Sequence, residues 1–253
     1  MSTFLVTGTS RGIGLELVRQ LASSSEAKTV VAVTRDNKST ALQTIIDESK
    51  GRVVNVIIPD IIDEKTVQSA VPEIEKALSG APLDVLINNA GAAAYDADGV
   101  KSTTVEDLTN IFRINVGSVQ AVTSSLLPLL EKGKTRKVIN ISTTLGSITH
   151  SKVYDWAPAT SYKTSKAALN MLTKIYANTY ESQGFTFLLI TPGWLKTDLG
   201  SQNADLPVEV GVKSVLDIIH GSTTADNGKF RNIRVAGWEN AKPNWYDGAE
   251  VPW

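Results

Sequence analysis

Thr7-Gly8-Thr9-Ser10-Arg11-Gly12-Ile13-Gly14 follows the apolar run Phe4-Leu5-Val6 and leads straight into a segment of helical period. Glycines at 8, 12 and 14 permit a tight turn, let backbone amides approach a pyrophosphate, and let the following helix pack close to the strand. A strand, a glycine turn and a helix in this order open a dinucleotide-binding βαβ unit. The same glycines also suit a βα turn that holds no ligand, so the neighbouring elements must decide.

Outward from this turn, short Val- and Ile-rich runs alternate with longer segments of helical period, the pattern of a parallel sheet built from βαβ units. Strands are predicted near 3–7, 29–34, 53–58, 84–88, 136–142, 186–191 and 232–236, and helices near 13–24, 39–49, 63–79, 104–131, 160–182 and 208–219. The predicted fold is α/β: a Rossmann-type, doubly wound parallel sheet of about seven strands with helices on both faces, all of residues 1–253 forming one NAD(P)-binding domain. Pro128 predicts a kink or break in the 104–131 segment, since proline removes a backbone donor and clashes with the preceding turn. Residues 147–160 and 236–253 match neither period and read as loops.

Composition narrows the chemistry. With 42% hydrophobic and 20% charged residues and a net charge of -1, the chain has no electrostatic bias toward nucleic acid. It contains no cysteine and only two histidines, His150 and His220, so thiolate chemistry and a histidine-rich metal cluster are excluded and no metal site is expected. The first apolar run starts too early to follow a leader, and no apolar stretch approaches the roughly 20 residues of a membrane span. A cytoplasmic protein with no membrane partner is the expectation.

The end of the second strand bears on the cofactor. NAD sites place an acidic residue there for the ribose 2′-hydroxyl; here the position holds Thr34, followed by Arg35. A guanidinium pairs with a 2′-phosphate in a planar, charge-assisted fork, and with Arg11 in the glycine turn this favours NADPH/NADP+. Asp36 competes with that reading if the strand runs one residue further. Asp60, after the third strand, is placed to accept from the adenine amino group, and Asn88-Asn89-Ala90-Gly91 offers small residues where backbone passes close to a cofactor.

Tyr162-Lys163-Thr164-Ser165-Lys166 opens a helical segment, and its four-residue spacing puts Tyr162 and Lys166 on one face. A phenol of reference pKa near 10 needs a neighbouring cation to act in acid-base catalysis at neutral pH. Lys166 would supply it.

Gly8, Gly12 and Gly14, the Asn88–Gly91 run, Asn115, the Tyr162/Lys166 pair and Thr191-Pro192-Gly193 occur in the order and near the spacing of the short-chain dehydrogenase/reductase family, which the chain resembles over nearly its whole length. The resemblance implies that Tyr162 protonates a carbonyl oxygen as hydride arrives from the nicotinamide. Lys166 would lower the phenol's pKa and bind the nicotinamide ribose. Asn115 would hold a water linking the lysine to solvent, and Thr197 would contact the carboxamide. Further cofactor contacts would come from Ser10, Ile13, Ile61, Asn89, Ala90, Gly91, Pro192 and Leu195. The family also implies a homodimer or homotetramer, with 104–131 and 160–182 as the segments able to pair across a twofold.

Two departures stand out. In Asn140-Ile141-Ser142-Thr143-Thr144-Leu145-Gly146, alignment on the glycine puts Thr143 where the family has a catalytic serine. Its hydroxyl donates and accepts like serine, but the extra methyl restricts the rotamer. Thr143 and Tyr162 also lie 19 residues apart, and the intervening 147–161 segment, with His150, Tyr154 and Trp156, is expected to wall the substrate pocket or to serve as loop packing. Within the family, Leu145-Gly146-Ser147, Pro192-Gly193-Trp194 and the terminal Pro252-Trp253 are similar to sniffer-type carbonyl reductases and fungal norsolorinic acid ketoreductase, which implies a bulky aromatic or polyketide-derived ketone or the matching alcohol.

An active reductase is therefore expected, with a dinucleotide-binding sensor as the alternative that Thr143 leaves open. A phosphate-loop hydrolase is disfavoured because the turn ends in Gly12-Ile13-Gly14 without the Gly-Lys-Ser/Thr that reaches terminal phosphates.

Overall fold

A computed structural model describes all 253 residues. β1 (Ser2–Thr7) ends at the glycine turn and α1 (Gly12–Ser23) begins inside it. The chain continues through β2 (Ala27–Thr34), α2 (Thr40–Glu48), β3 (Val53–Ile57), α3 (Glu64–Ala77) and β4 (Val85–Asn88). α4 (Val105–Phe112), α5 (Ser118–Glu131), β5 (Lys137–Ile141), α6 (Thr160–Tyr180), β6 (Thr186–Thr191), α7 (Val208–Gly221) and β7 (Phe230–Asn232) complete it. One sheet holds all seven strands in the order β3-β2-β1-β4-β5-β6-β7, and every pairing is parallel.

Alternation along each strand divides the core into two layers. Phe4, Val6, Val30 and Ala32 face α1, α2 and α7, meeting Leu17, Leu21, Leu42 and Val215. Leu5, Val31 and Val33 face the other way, onto Val67, Ile74, Val122 and Leu126 of α3 and α5. Each of these Val, Leu, Ile and Phe side chains stabilises the fold by roughly 1.5–3 kcal/mol when fully removed from water. Strands apolar on both faces are what a parallel sheet covered on both sides requires. After β1 the chain builds outward to β2 and β3, then returns to place β4 on the other side of β1. The crevice at the carboxyl ends of β1 and β4 is thus the topological switch point, where open α/β sheets take their ligands.

Two sequence expectations are corrected here. Pro128 does not break its helix: it lies in the last turn of α5, whose Leu126, Leu129 and Leu130 stay buried. The 104–131 segment is interrupted instead at Arg113–Gly117, a single wide π turn between α4 and α5. The last strand lies at Phe230–Asn232 and not at 232–236. From Phe230 onward the chain pairs with its own tail: Val235 N–H donates to Tyr246 O at 2.9 Å, Asn232 N–H to Ala249 O at 2.9 Å, and Val251 N–H to Phe230 O at 2.7 Å. The tail thereby covers the open edge of the sheet, which would otherwise present unpaired backbone groups.

Candidate active site

The glycine turn is held by the strand ends on either side of it. Thr7 Oγ1 accepts from the backbone N–H of Asn89 and of Ala90, each at 3.0 Å, and Asn89 Nδ2 donates to Thr7 O at 2.9 Å and Gly8 O at 3.2 Å. β1 and β4 are thus locked together at the switch point. A Cβ on Gly14 would stand 2.1 Å from Gly8 O, so only glycine lets α1 start this close to the turn. A Cβ on Gly12 would project toward Thr197, at 3.6 Å from its Cγ2, into the gap between the turn and the loop after β6. The helix N-terminus that opens here presents backbone N–H groups of the kind that bind phosphate groups.

A cleft of about 830 Å³ runs from this turn in both directions. At one end lie Arg35, Asp60 and Ile61. Thr34 is buried, its Oγ1 donating to Asn55 Oδ1 at 3.0 Å, and Arg35 is exposed along the cleft. Asp36 does not line the cleft; its carboxylate accepts from Lys38 N–H at 3.1 Å. The carboxylate that competed with the NADP reading therefore caps its own turn. Arg11 also lines the cleft, but its Nη1 meets Asp198 Oδ2 at 2.6 Å across the mouth of the turn. The two arginines are not equivalent: Arg35 is without a partner carboxylate, and Arg11 is held by one.

At the other end, α6 presents Tyr162 and Lys166 one turn apart. Lys166 is buried, its Nζ donating to Ile141 O at 2.8 Å, and burial pushes its pKa down to about 8. Burial likewise pushes the Tyr162 phenol well above its ordinary value, with the nearby Tyr95 adding to the effect. Burial is the leading cause, because a desolvated phenol resists ionisation.

Asn115 sits in the π turn, fully buried. Its Oδ1 accepts from Ala92 N–H at 2.9 Å, and its Nδ2 donates to Ala92 O and to Ser165 Oγ, each at 2.9 Å. Both side-chain hydrogens are committed to protein atoms, so the side chain clasps the loop after β4 to α6.

Ser142 and Thr143 both border the cleft, but Ser142 is buried and its hydroxyl donates to Asn170 Oδ1 at 2.7 Å, whereas Thr143 is half-buried. Thr143 Oγ1 accepts from Leu145 N–H at 3.3 Å, which leaves its own proton free for a ligand oxygen. Thr197, beside the glycine turn, accepts from Gly200 N–H at 3.0 Å, and Pro192 and Leu195 also border the cleft.

The 147–161 segment closes the far wall only in part. Trp156 borders the cleft with its ring 5.9 Å from that of Trp194, and Tyr154 stacks on Trp245 at 6.5 Å. His150 does not border the cleft; its ring meets the edge of Trp245 at 5.3 Å, behind the wall. Tyr95, Trp245 and Tyr246 also line the cleft and were missed in the sequence. They sit in segments of no regular period, and the only local signal was the density of aromatics in the tail.

A glycine turn at the switch point, with one cleft joining it to a tyrosine and a lysine a helical turn apart, defines a protein of the Rossmann-type dinucleotide-binding class. The sequence matches the short chain dehydrogenase family over residues 2–206. A short chain dehydrogenase of Hypocrea virens, virK, is 34% identical over 206 residues, covering 78% of this chain and 75% of the relative. Among solved structures, the NADPH-bound carbonyl reductase from chicken fatty liver superposes with a TM-score of 0.87 at 29% identity, over 100% of this chain and 99% of that one. The carbonyl reductase Sniffer of D. melanogaster gives 0.84 at 27% identity over 100% of both chains. The chain belongs to the short-chain dehydrogenase/reductase family, and its likeness within that family runs to carbonyl reductases of the sniffer type.

Proposed function

We propose that this chain is an NADPH-dependent reductase of a bulky, apolar ketone. The observation that carries the reading is that Thr143, Tyr162 and Lys166 open into the same cleft as the glycine turn and Arg35. NADP(H) suits the residues present, because Arg35 offers a free guanidinium for the 2′-phosphate and no carboxylate faces that end from β2. NADPH, when bound, supplies the hydride.

The protein supplies the proton and the orientation. Thr143 donates a hydrogen bond to the carbonyl oxygen and keeps its proton, and Tyr162, kept protonated by burial, transfers the one proton that oxygen gains. Lys166 stabilises the phenolate left behind, a role that requires the lysine in its charged form. Asn115 supports the site by holding the loop after β4 to α6. Tyr95, Leu145, Trp156, Trp194 and Trp245 give the substrate end apolar, largely aromatic surfaces, which suit an aromatic or polyketide-derived ketone. The carbonyl reductase neighbours support a carbonyl substrate.

Loss of the nicotinamide absorbance on mixing protein, NADPH and a panel of aromatic ketones tests the reading. Turnover of at least one ketone, abolished in Tyr162→Phe, is the expected result. No turnover across the panel, or turnover indifferent to that substitution, overturns it.

A further inference from the structure

The turn that carries Thr143 is clamped at both ends by one side chain. It leaves β5 at Ser142, whose N–H donates to Ile190 O at 2.9 Å, and closes with Gly146 N–H donating to Thr143 O at 2.9 Å. It then lies directly on α6, where a Cβ at Gly146 would stand 2.9 Å from Lys166 Cβ and 3.0 Å from the Lys166 carbonyl carbon. Asn170 follows Lys166 by one helical turn and Tyr162 by two, on the same face. Its Oδ1 accepts from Ser142 Oγ at 2.7 Å and its Nδ2 donates to Gly146 O at 3.3 Å. Ser142 and Asn170 are each only 3% exposed. Thr143 lies between the two attachment points.

An amide is suited to this place because one planar group offers an acceptor toward the hydroxyl and a donor toward the carbonyl. A carboxylate would set two acceptors against Gly146 O, and an aliphatic side chain would leave buried Ser142 unpaired. The β-branch of Thr143 makes the clamp more important. Its χ1 has few choices, so the hydroxyl cannot swing to follow a displaced backbone as a serine could. Asn140 Nδ2 donating to Thr173 Oγ1 at 2.8 Å, one turn further along α6, shows that the same helix face is tied to β5 in series.

We propose that Asn170 is a positioning residue of the reduction: it fixes the register of the 142–146 turn on α6, so that the Thr143 and Tyr162 hydroxyls address one carbonyl oxygen. The inference rests on the function proposed above, in which those two hydroxyls meet the substrate. It assigns Asn170 no contact with substrate or cofactor.

The test is a double-mutant cycle read in kcat, KM and NADPH affinity. Asn170→Ala should lower kcat by about 10- to 100-fold, the scale of an ångström-sized misplacement of a reacting group, with NADPH binding within twofold of the parent. In a Thr143→Ala background the same substitution should change kcat by less than twofold, because the hydroxyl it positions is gone. Losses that multiply across the two backgrounds, or an Asn170→Ala enzyme as active as the parent, overturn the proposal. If Asn170→Ala does not fold, Asn170→Asp carries the test. That carboxyl can donate to Gly146 O only when protonated, so kcat should show a new fall with rising pH, and a profile parallel to the parent's overturns the proposal. Tyr162→Phe runs alongside: if it is inactive while Asn170→Ala is normal, only the positioning role fails, whereas an active Tyr162→Phe removes the functional reading and this inference with it.

Discussion

The Nζ of Lys166 lies 5.8 Å from the centroid of the Tyr162 ring, close enough for its charge to bear on the phenol and buried enough to lose that charge above about pH 8. With Lys166 at about 8, reduction should hold its rate below that value and decline above it as the ammonium discharges. Lys166→Arg, which stays charged throughout, should abolish the decline in whatever activity it retains. The check is kcat against pH for both proteins; a parent profile without a break near that value contradicts the assignment. Fold stability moves the other way. Because the folded pKa is depressed from 10.5 to about 8, the unfolded chain binds more protons between those values, and stability from this group rises with pH across the window.

Thr143→Ser should reduce kcat by no more than a few-fold, since the donor survives. Thr143→Val keeps the shape and removes the hydroxyl, and should cost on the order of 10²-fold in kcat, the scale of losing one donor to a developing oxyanion. Steady-state kinetics on the best ketone decide it, and equal activities for the Val and Ser variants would remove Thr143 from the reaction.

Arg35→Ala should weaken NADPH binding by about 10- to 100-fold, corresponding to the roughly 1.5–3 kcal/mol of charge-assisted hydrogen bonding, and leave NADH binding unchanged. Calorimetric titration with each cofactor measures the ratio. The Arg11–Asp198 pair is 69% and 72% exposed, so Asp198→Asn should alter thermal stability by less than about 1 kcal/mol while releasing Arg11 toward the phosphates.

Gly14→Ala adds a methyl 2.1 Å from the Gly8 carbonyl oxygen. Alanine is the better helix former, so propensity alone predicts a gain of about 1 kcal/mol. The clash should reverse that sign, destabilising by roughly 1–3 kcal/mol and distorting the cradle enough to weaken both cofactors. Thermal denaturation gives the sign directly, and a stabilised variant would show that α1 and the turn can separate without cost.

The sequence alone determined the sheet, because strands buried on both faces need continuous apolar runs and the helices between them need a 3.6-residue period. Both patterns are local, as is the glycine turn, and the four-residue spacing of Tyr162 and Lys166 is enough to place them on one helix face. The distance to Gly146 singled out Thr143 over Ser142, and the structure leaves the Thr143 hydroxyl proton free while that of Ser142 is bound to Asn170. What the sequence could not decide were relationships between residues far apart in the chain. Arg11 and Arg35 read alike until Asp198, 187 positions away from Arg11, took one of them. The tail displaced the last strand's predicted end because its backbone had to satisfy the sheet edge. Asn115 turned out to use its side chain as a clasp, and His150 turned its ring away from the cleft. The balance between Tyr162 and Lys166 also came from the tertiary structure, since desolvation depends on everything packed around a group and not on the spacing that brings two groups together.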